Sequence, residues 1–280
     1  MIDLHMHSFF SDGTMAPEEL ISLGVDAGLE AMALTDHDNV AGVPRYLEAA
    51  KKAGMRAIAG VEVSADIEKG ALHVLGYGVR HEDRELQRQL TWILEGREER
   101  NMQILHKLNR AGMTITMDEV KAFAGSEVVG RPHFAMALIR RGYARNKRDA
   151  FSRYLARGRL AHAERRRFSA EDTMQLIRNA GGVPSIAHPF SLELKDDELF
   201  DLCAYLKDYG LMGLECYYPE HTPTMQREYL SIAEELELIP TGGSDFHGAA
   251  TPDLKLGRGF GRLKVPYETF DRISAAMIQG

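Results

Sequence analysis

Histidines and carboxylates recur along this chain where they could hold a metal. The first thirteen residues read MIDLHMHSFFSDG. His5 and His7 stand two apart, so on an extended segment both imidazoles leave the same side of the strand. Asp12 follows in what reads as a loop, within reach of the same point. Imidazole combined with carboxylate suits divalent transition metals. The combination returns further on. Asp36, His37 and Asp38 form TDHD, Glu62 lies in GVEVS, His73 in LHVLGY and His188 in AHP; Glu215 ends MGLE, and Asp245 and His247 lie in GSDFH. Each alone has an ordinary reading: a satisfied histidine, a turn with a helix cap, a polar loop. Together they do not, because nearly every set closes a short apolar run.

Those runs are the elements that must position the side chains. MIDL, EAMALT, AIAGV, LHVLGYGV, GVPSIA, MGLE and LIPTGGS read as seven strands. Helical patterns lie between most of them: 16–27, with Thr14 as cap and Pro17 in the first turn, then 43–53, 196–208, 222–236 and 267–278. Strand and helix in alternation imply parallel strands with right-handed crossovers. In an α/β barrel the carboxyl ends of the strands share one face, so residues some 240 positions apart would meet there. About seven strands and this length suggest a barrel, distorted or one unit short, with an open doubly wound sheet as the structural alternative.

The alternation stops between about 82 and 181. Helical periodicity continues there without strand signals: one long helix over 83–111, with Gly96 as a weak point, then 117–124, 132–140, 147–156 and 170–180. We expect a barrel domain from 1–81 and 182–280, and a helical insertion from 82–181. The insertion holds a basic stretch. From Arg131 to Arg167, twelve Arg and Lys stand against two acids, Asp149 and Glu164, a local charge of about +10 in a chain of net charge −7. Such a stretch is either a solvated helical surface or a wall that attracts a phosphorylated substrate.

Composition narrows the class. With 280 residues, 44% hydrophobic and 27% charged, the chain has the profile of a soluble globular protein the size of one α/β barrel. No apolar run approaches the roughly 18 residues that span a bilayer. The start lacks a signal peptide's basic and apolar regions, so a cytoplasmic location is expected. The two cysteines, Cys203 and Cys216, form no CxxC pair and read as core thiols. A donor set of oxygen and nitrogen without thiolate favours Mn, Fe or Zn over Cu(I) or an iron–sulfur cluster.

DLHMHS, TDHD, GVEVS, HVLGY, AHP and GSDFH together resemble the motifs of the PHP (polymerase and histidinol phosphatase) phosphoesterases, over Met1 to about Gly261. GRPHFA at 130–135 and YLARG at 154–158 resemble the TrpH or RNase AM-like subgroup, which acts on nucleotides. The resemblance implies a distorted (β/α)7 TIM-like barrel with a helical insertion and three divalent metal ions. One ion would use His5, His7, Glu62 and Asp245; a second Glu62, His73 and His188; the third Asp12, His37 and His247. A metal-bridging hydroxide held by Glu62, Asp245 and His188 would attack phosphorus. Manganese is the expected metal on this resemblance, with iron or zinc as alternatives. Asp36 and Asp38 would orient His37 or nearby loops.

For the substrate we expect phosphate contacts from Arg131 and His133, at a helix start, and from Arg157 and Arg159. Tyr217, Tyr218 and His221, in ECYYPEHT, either meet the base or phosphate or simply pack the loop. Where relatives often carry GKPAY this chain has GRLAH, with Arg159 and His162, which bears on substrate preference. The implied function is hydrolysis of nucleotide phosphoesters: a 3′,5′-bisphosphonucleotide phosphatase, a 5′→3′ exoribonuclease on short RNA, or both. The partner is then a phosphorylated nucleotide or short RNA, with no membrane and no obligate protein partner. Histidinol-phosphate phosphatase is the alternative enzyme. A nucleic-acid-binding module with a structural metal site is the alternative of another class.

Overall fold

In a computed structural model, residues 1–124 and 128–278 are described; residues 125–127 and 279–280, which fall in the segments assigned above to insertion and barrel, lie outside them. Every apolar run forms a strand: β1 (Ile2–Asp3), β2 (Ala31–Leu34), β3 (Arg56–Ala65), β4 (Leu72–Tyr77), β5 (Val183–Ile186), β6 (Gly213–Tyr217) and β7 (Ile239–Gly242). They make one sheet in sequence order. Its helices are α1 (Pro17–Asp26), α2 (Val43–Ala53), α7 (Ala170–Asn179), α8 (Asp196–Lys207), α9 (Pro223–Glu235) and α10 (Tyr267–Ile278). The fold is α/β, built on a curled seven-stranded sheet. Strands buried throughout, such as AMAL in β2, are what a sheet covered on both sides requires. Ile2, Leu4, Ile58, Leu75, Tyr77 and Val183 meet in its core.

The sheet is mixed, not parallel throughout as expected. β4 runs antiparallel to both β3 and β5, while the other neighbouring pairs are parallel. The reason is chain length. Six residues, 66–71, separate β3 from β4, and a parallel crossover needs about a dozen or more. Past the ends of β1 and β7 the chain continues to pair. The Leu4 amide donates to the Gly242 carbonyl at 3.3 Å, Asp245 to His5 at 2.8 Å, and His7 to Phe246 at 2.9 Å.

Two compact units divide the chain: 1–90 with 168–280, and 91–167. The division differs from the expected 82 and 181. α7, which shows the same amphipathic pattern as the helices before it, packs on β3, β4 and β5 and so belongs with the sheet. The second unit is helical: most of α3 (Arg84–Arg110), then α4 (Met117–Lys121), α5 (Arg131–Arg140) and α6 (Lys147–Ala150), which runs into a π-helical turn at Phe151–Leu155. Its core holds Ile104, Leu108, Val120, Phe134, Leu138 and Leu155. Gly96 does not interrupt α3. Its missing side chain makes room for Arg166, whose Cβ would stand 2.7 Å from a Cβ at position 96. Thr14 does not cap α1, whose cap residue is Ala16. Its hydroxyl accepts from the Ala249 amide at 2.8 Å, tying the first loop to the one after β7. Among the described residues no helix is long and apolar enough to cross a membrane.

Candidate metal centre

Ladder hydrogen bonds that run past the strands hold the loops bearing the polar residues. His37 bridges to Glu62 as a parallel partner, with the Glu62 amide on the Asp36 carbonyl at 3.1 Å and the Asp38 amide on the Glu62 carbonyl at 2.8 Å. Met6 bridges to Phe246, which sets His5 and His7 beside Asp245 and His247. His73 lies near the start of β4, opposite Ser64 on β3. Because β4 is antiparallel, its start stands at the rim where the parallel strands end. The strand that departs from the expected topology thus still delivers its histidine to the shared face.

The result is a dense cluster centred on Glu62, whose side chain is fully buried. Its Oε2 lies 3.3 Å from His5 Nε2, 3.3 Å from His7 Nε2 and 3.0 Å from His37 Nδ1. Its Oε1 lies 3.0 Å from both His73 Nδ1 and His188 Nε2. Asp245 Oδ1 approaches His5 at 3.3 Å, His7 at 3.0 Å and His247 at 3.6 Å. Asp12 reaches His247 at 3.1 Å, and His7 and His37 at 3.8 Å each. All nine residues named as ligand candidates come together. Proximity groups them as His5, His7, Glu62 and Asp245, then His7, Asp12, His37 and His247, then His37, Glu62 and His73.

Three observations fit this cluster to cations. First, His7 Nε2, Asp12 Oδ1 and His37 Nδ1 are buried with no hydrogen-bond partner, although opposite groups stand close. Buried polar atoms are rarely left so. Second, a metal–ligand bond of about 2.1 Å puts neighbouring ligand atoms about 3.0–3.4 Å apart in octahedral or tetrahedral geometry, and most of these approaches fall in that range. Third, the carboxylates stay ionised only at the imidazoles' expense. Burial pushes Glu62 and Asp245 up, but the surrounding imidazoles, His37 and His5 foremost around Glu62 and His5 and His247 around Asp245, hold both well below the usual carboxylate range. Burial pushes His7 down, and Asp245 and Glu62 outweigh it, raising the imidazole to about 10. His5 rises against its burial through Glu215, Asp245 and Glu62. Divalent ions would take the place of those protons and free the nitrogen lone pairs.

Further residues hold the cluster in shape. Glu215 is fully buried; its Oε1 lies 3.0 Å from His5 Nδ1, and its Oε2 accepts the His188 amide at 2.6 Å. That arrangement fixes the His5 tautomer with Nε2 turned to Glu62. Asp36 accepts from the Ser8 amide at 2.7 Å and from the Ser8 and Ser11 hydroxyls at 2.6 and 2.7 Å. Asp38 accepts from the Ser64 amide at 2.8 Å. Asp36 therefore shapes the first loop, while Asp38 braces its own loop against β3. Asp3 was not singled out in the sequence. Buried, it accepts the Ser244 amide at 2.8 Å and the Gly257 amide at 2.6 Å, anchoring the GSDFH loop. His188 and Asp245 adopt left-handed backbone, with φ of 25° and 54°.

Of the expected substrate contacts, Tyr218 and His221 lie in the same unit as the cluster. The Tyr218 hydroxyl donates to Asp245 Oδ2 at 2.9 Å, and its ring stands 5.6 Å from that of His188. His221 packs at 5.1 Å from Tyr218, its Nδ1 on the Cys216 carbonyl at 3.0 Å and its Nε2 buried without a partner. Tyr217 is half-buried. Arg131, His133, Arg157 and Arg159 belong to the helical unit. Arg131 opens α5 with its guanidinium 6.0 Å from the Phe151 ring, and His133 Nδ1 accepts the Gly130 amide at 3.0 Å. Arg157 and Arg159 are exposed.

Comparison with known proteins adds an independent line. The family model of the PHP domain matches residues 3–177. The 5′-3′ exoribonuclease of Haemophilus influenzae is 33% identical over 245 residues, which cover 88% of this chain and 89% of that protein. The 3′,5′-nucleoside bisphosphate phosphatase of Chromobacterium violaceum is 32% identical over 247 residues, 88% and 87% of the two chains. A solved structure from Chromobacterium violaceum, described as an amidohydrolase with bound sulfate and no metal, matches with a TM-score of 0.84 at 28% identity. It covers 98% of this chain and 96% of its own.

Proposed function

The chain belongs to the PHP domain family, and from that premise we propose that it is a metal-dependent phosphoesterase acting on nucleotides. The observation that carries this reading is the Glu62 carboxylate, approached by five imidazoles and overlapping two further groups built on Asp245 and Asp12. We assign one ion to His5, His7, Glu62 and Asp245, a second to Glu62, His73 and His188, and a third to Asp12, His37 and His247. When bound, three divalent ions, manganese by preference and iron or zinc otherwise, supply an acidic water as nucleophile and screen the charge of the phosphate.

The chain's own residues then have separate tasks. Glu62 and Asp245 bring the negative charge that draws cations into a buried site. Glu215 keeps His5 in one tautomer. Tyr218 holds the outer oxygen of Asp245 and so limits its rotation. We give Arg131, His133, Arg157 and Arg159, with Tyr218 and His221, the task of binding the anionic substrate. The named activities of the two relatives, an exoribonuclease and a nucleoside bisphosphate phosphatase, support a nucleotide over a smaller phosphate ester. The hydrogen bonds continuing β1 and β7 support closure of the sheet into a distorted barrel.

The test is a product-resolved comparison of manganese-loaded protein on 3′,5′-bisphosphoadenosine, 5′-phosphorylated oligoribonucleotides and L-histidinol phosphate. We expect release of phosphate or nucleotide from one or both of the first two. Turnover of L-histidinol phosphate alone would replace this reading with the histidinol-phosphate phosphatase. RNA binding without cleavage of any ester would replace it with a binding module.

A further inference from the structure

A basic loop lies outside the candidate ligands, between β7 and α10. Residues 254–265 read LKLGRGFGRLKV: four cations, Lys255, Arg258, Arg262 and Lys264, one aromatic ring and no acid, in a chain of net charge −7. The aliphatic side chains of the stretch are buried, whereas the four cations are exposed. Phe260 stands among them, 56% exposed. Elsewhere on the same unit exposed arginines take acidic partners, as Arg45 does with Glu18 at 2.7 Å and Arg88 with Glu85 at 2.6 Å. The four cations around Phe260 form neither ion pair nor side-chain hydrogen bond among the described residues.

The loop is built so that the ring stays outside. Lys255 and Gly259 exchange backbone hydrogen bonds at 2.9 and 2.8 Å, and the Leu263 amide donates to the Arg258 carbonyl at 3.2 Å. Gly257 and Gly259 take left-handed backbone, with φ of 71° and 53°, a conformation that strains residues with a side chain. Arg258 and Phe260 follow these two glycines and are exposed. The turn is also fastened to the loops around the metal centre. The Gly257 amide donates to Asp3 Oδ2 at 2.6 Å, and Asp3 accepts the Ser244 amide of GSDFH as well. A Cβ on Gly259 would stand 2.8 Å from Pro219, the neighbour of Tyr218, whose hydroxyl donates to Asp245.

We propose that the loop 255–264 binds single-stranded nucleic acid, with Phe260 stacked on a base and Lys255, Arg258, Arg262 and Lys264 meeting the phosphates. A single strand offers both halves of this match, a regular run of negative charge and an aromatic face at every nucleotide. An acidic protein segment would answer the cations alone. On the phosphoesterase reading, on which this part rests, the occupant is the stretch of RNA beyond the nucleotide held at the metals. The loop then favours a longer substrate without touching the reacting atoms.

The test begins with binding. Full-length protein is treated with chelator, so that no ester is cut, and titrated at several salt concentrations with a 5′-phosphorylated oligoadenylate carrying fluorescein at its 3′ end. Phe260→Ala should weaken binding about fivefold or more, the effect of losing one stacked base, and Phe260→Trp should keep it. Arg258→Ala combined with Arg262→Ala should lower the slope of log Kd against log salt by about 1.4, two phosphate contacts at about 0.7 each. All three side chains are exposed, and circular dichroism should be unchanged. Full affinity in F260A, or an unaltered slope in the double variant, would overturn the site. Vesicles of phosphatidylglycerol and phosphatidylcholine test the other anionic surface: variants that lose vesicle binding yet keep RNA binding would assign the loop to a membrane and overturn the proposal. With manganese restored, F260A should lose about fivefold or more in kcat/KM on the oligonucleotide and keep its value on 3′,5′-bisphosphoadenosine, which has no nucleotide beyond the cleaved bond. Equal losses on both substrates would move Phe260 to the cleavage site and overturn its place beyond it. Failure of the wild type to cleave either ester would count against the phosphoesterase reading and leave the binding result standing.

Discussion

Glu215→Gln should weaken metal binding about 10–100-fold while leaving the donor atoms of every ligand in place. The side chain is fully buried, and both of its oxygens accept: Oε1 from His5 Nδ1 at 3.0 Å, Oε2 from the His188 amide at 2.6 Å. Glutamine has the same shape but one acceptor. Either the His188 amide or His5 Nδ1 must then face an NH2 group. If it is the amide, a buried donor is left unsatisfied, at a cost of about 1–3 kcal/mol. If it is Nδ1, the imidazole changes tautomer, its proton moves to Nε2, and the nitrogen turned toward Glu62 and Asp245 no longer has a free lone pair. The loss in affinity corresponds to about 1.4–2.8 kcal/mol. Titration of metal-free protein with manganese against a competing chelator gives the constants, and elemental analysis gives the stoichiometry. Unchanged affinity, with the variant folded, would remove Glu215 from the support of the site and with it the tautomer assigned to His5.

Other outcomes follow from the same geometry. His188→Ala should lower metal content and reduce hydrolysis by at least about tenfold, with circular dichroism unchanged; full activity would remove His188 from the ligand set. Gly243→Ala would drive a methyl group into the backbone and Cβ of His5. Overpacking of about 1–3 kcal/mol should lower the melting temperature by about 2–10 °C, and an unaltered melt would show that the loop yields freely. In metal-free protein His7 is raised from 6.5 to about 10, against its burial, by Asp245 and Glu62. A folded value above the unfolded one gives stability that is fully present below about pH 6.5 and is lost as pH climbs through about 10. Melts of chelator-treated protein should therefore fall across that window; a flat or rising profile would contradict it.

The seven strands and the flanking helices were legible because period and punctuation mark them, and α2 and α10 begin and end where the pattern does. The nine candidate ligands were legible because histidines and acids at strand ends have few structural reasons to recur. Other features depend on partners that a single sequence does not name. The amphipathic stripe of α7 shows that it packs, not that it packs on the sheet. Asp3 sits inside an apolar run and looks like the polar end of a strand, yet it anchors a loop 241 residues away. Thr14 has the type and place of a helix cap, and the loop after β7 competes for it. The antiparallel β4 is a different case. Its signal was present in the six-residue connection, and the alternating pattern around it concealed it.

The two strained candidate ligands show how the fold divides its acids. Left-handed backbone at a residue other than glycine costs about 1–3 kcal/mol and persists only where neighbours enforce it. His188 is enforced by Glu215, which takes its amide. Asp245 is enforced by its own amide on the His5 carbonyl at 2.8 Å and by Ser244, whose amide and hydroxyl are both held by Asp3. Each strained position is therefore secured by a buried carboxylate outside the nine candidate ligands. Burial raises Asp3 above its ordinary range even though four hydrogen bonds oppose it, so keeping it ionised there is itself unfavourable. A chain needing only stability would replace such groups with apolar packing. Their presence, two layers deep around Glu62, is explained if the loops must hold imidazoles and carboxylates closer together than those groups would settle by themselves, at the spacing that a shared cation requires.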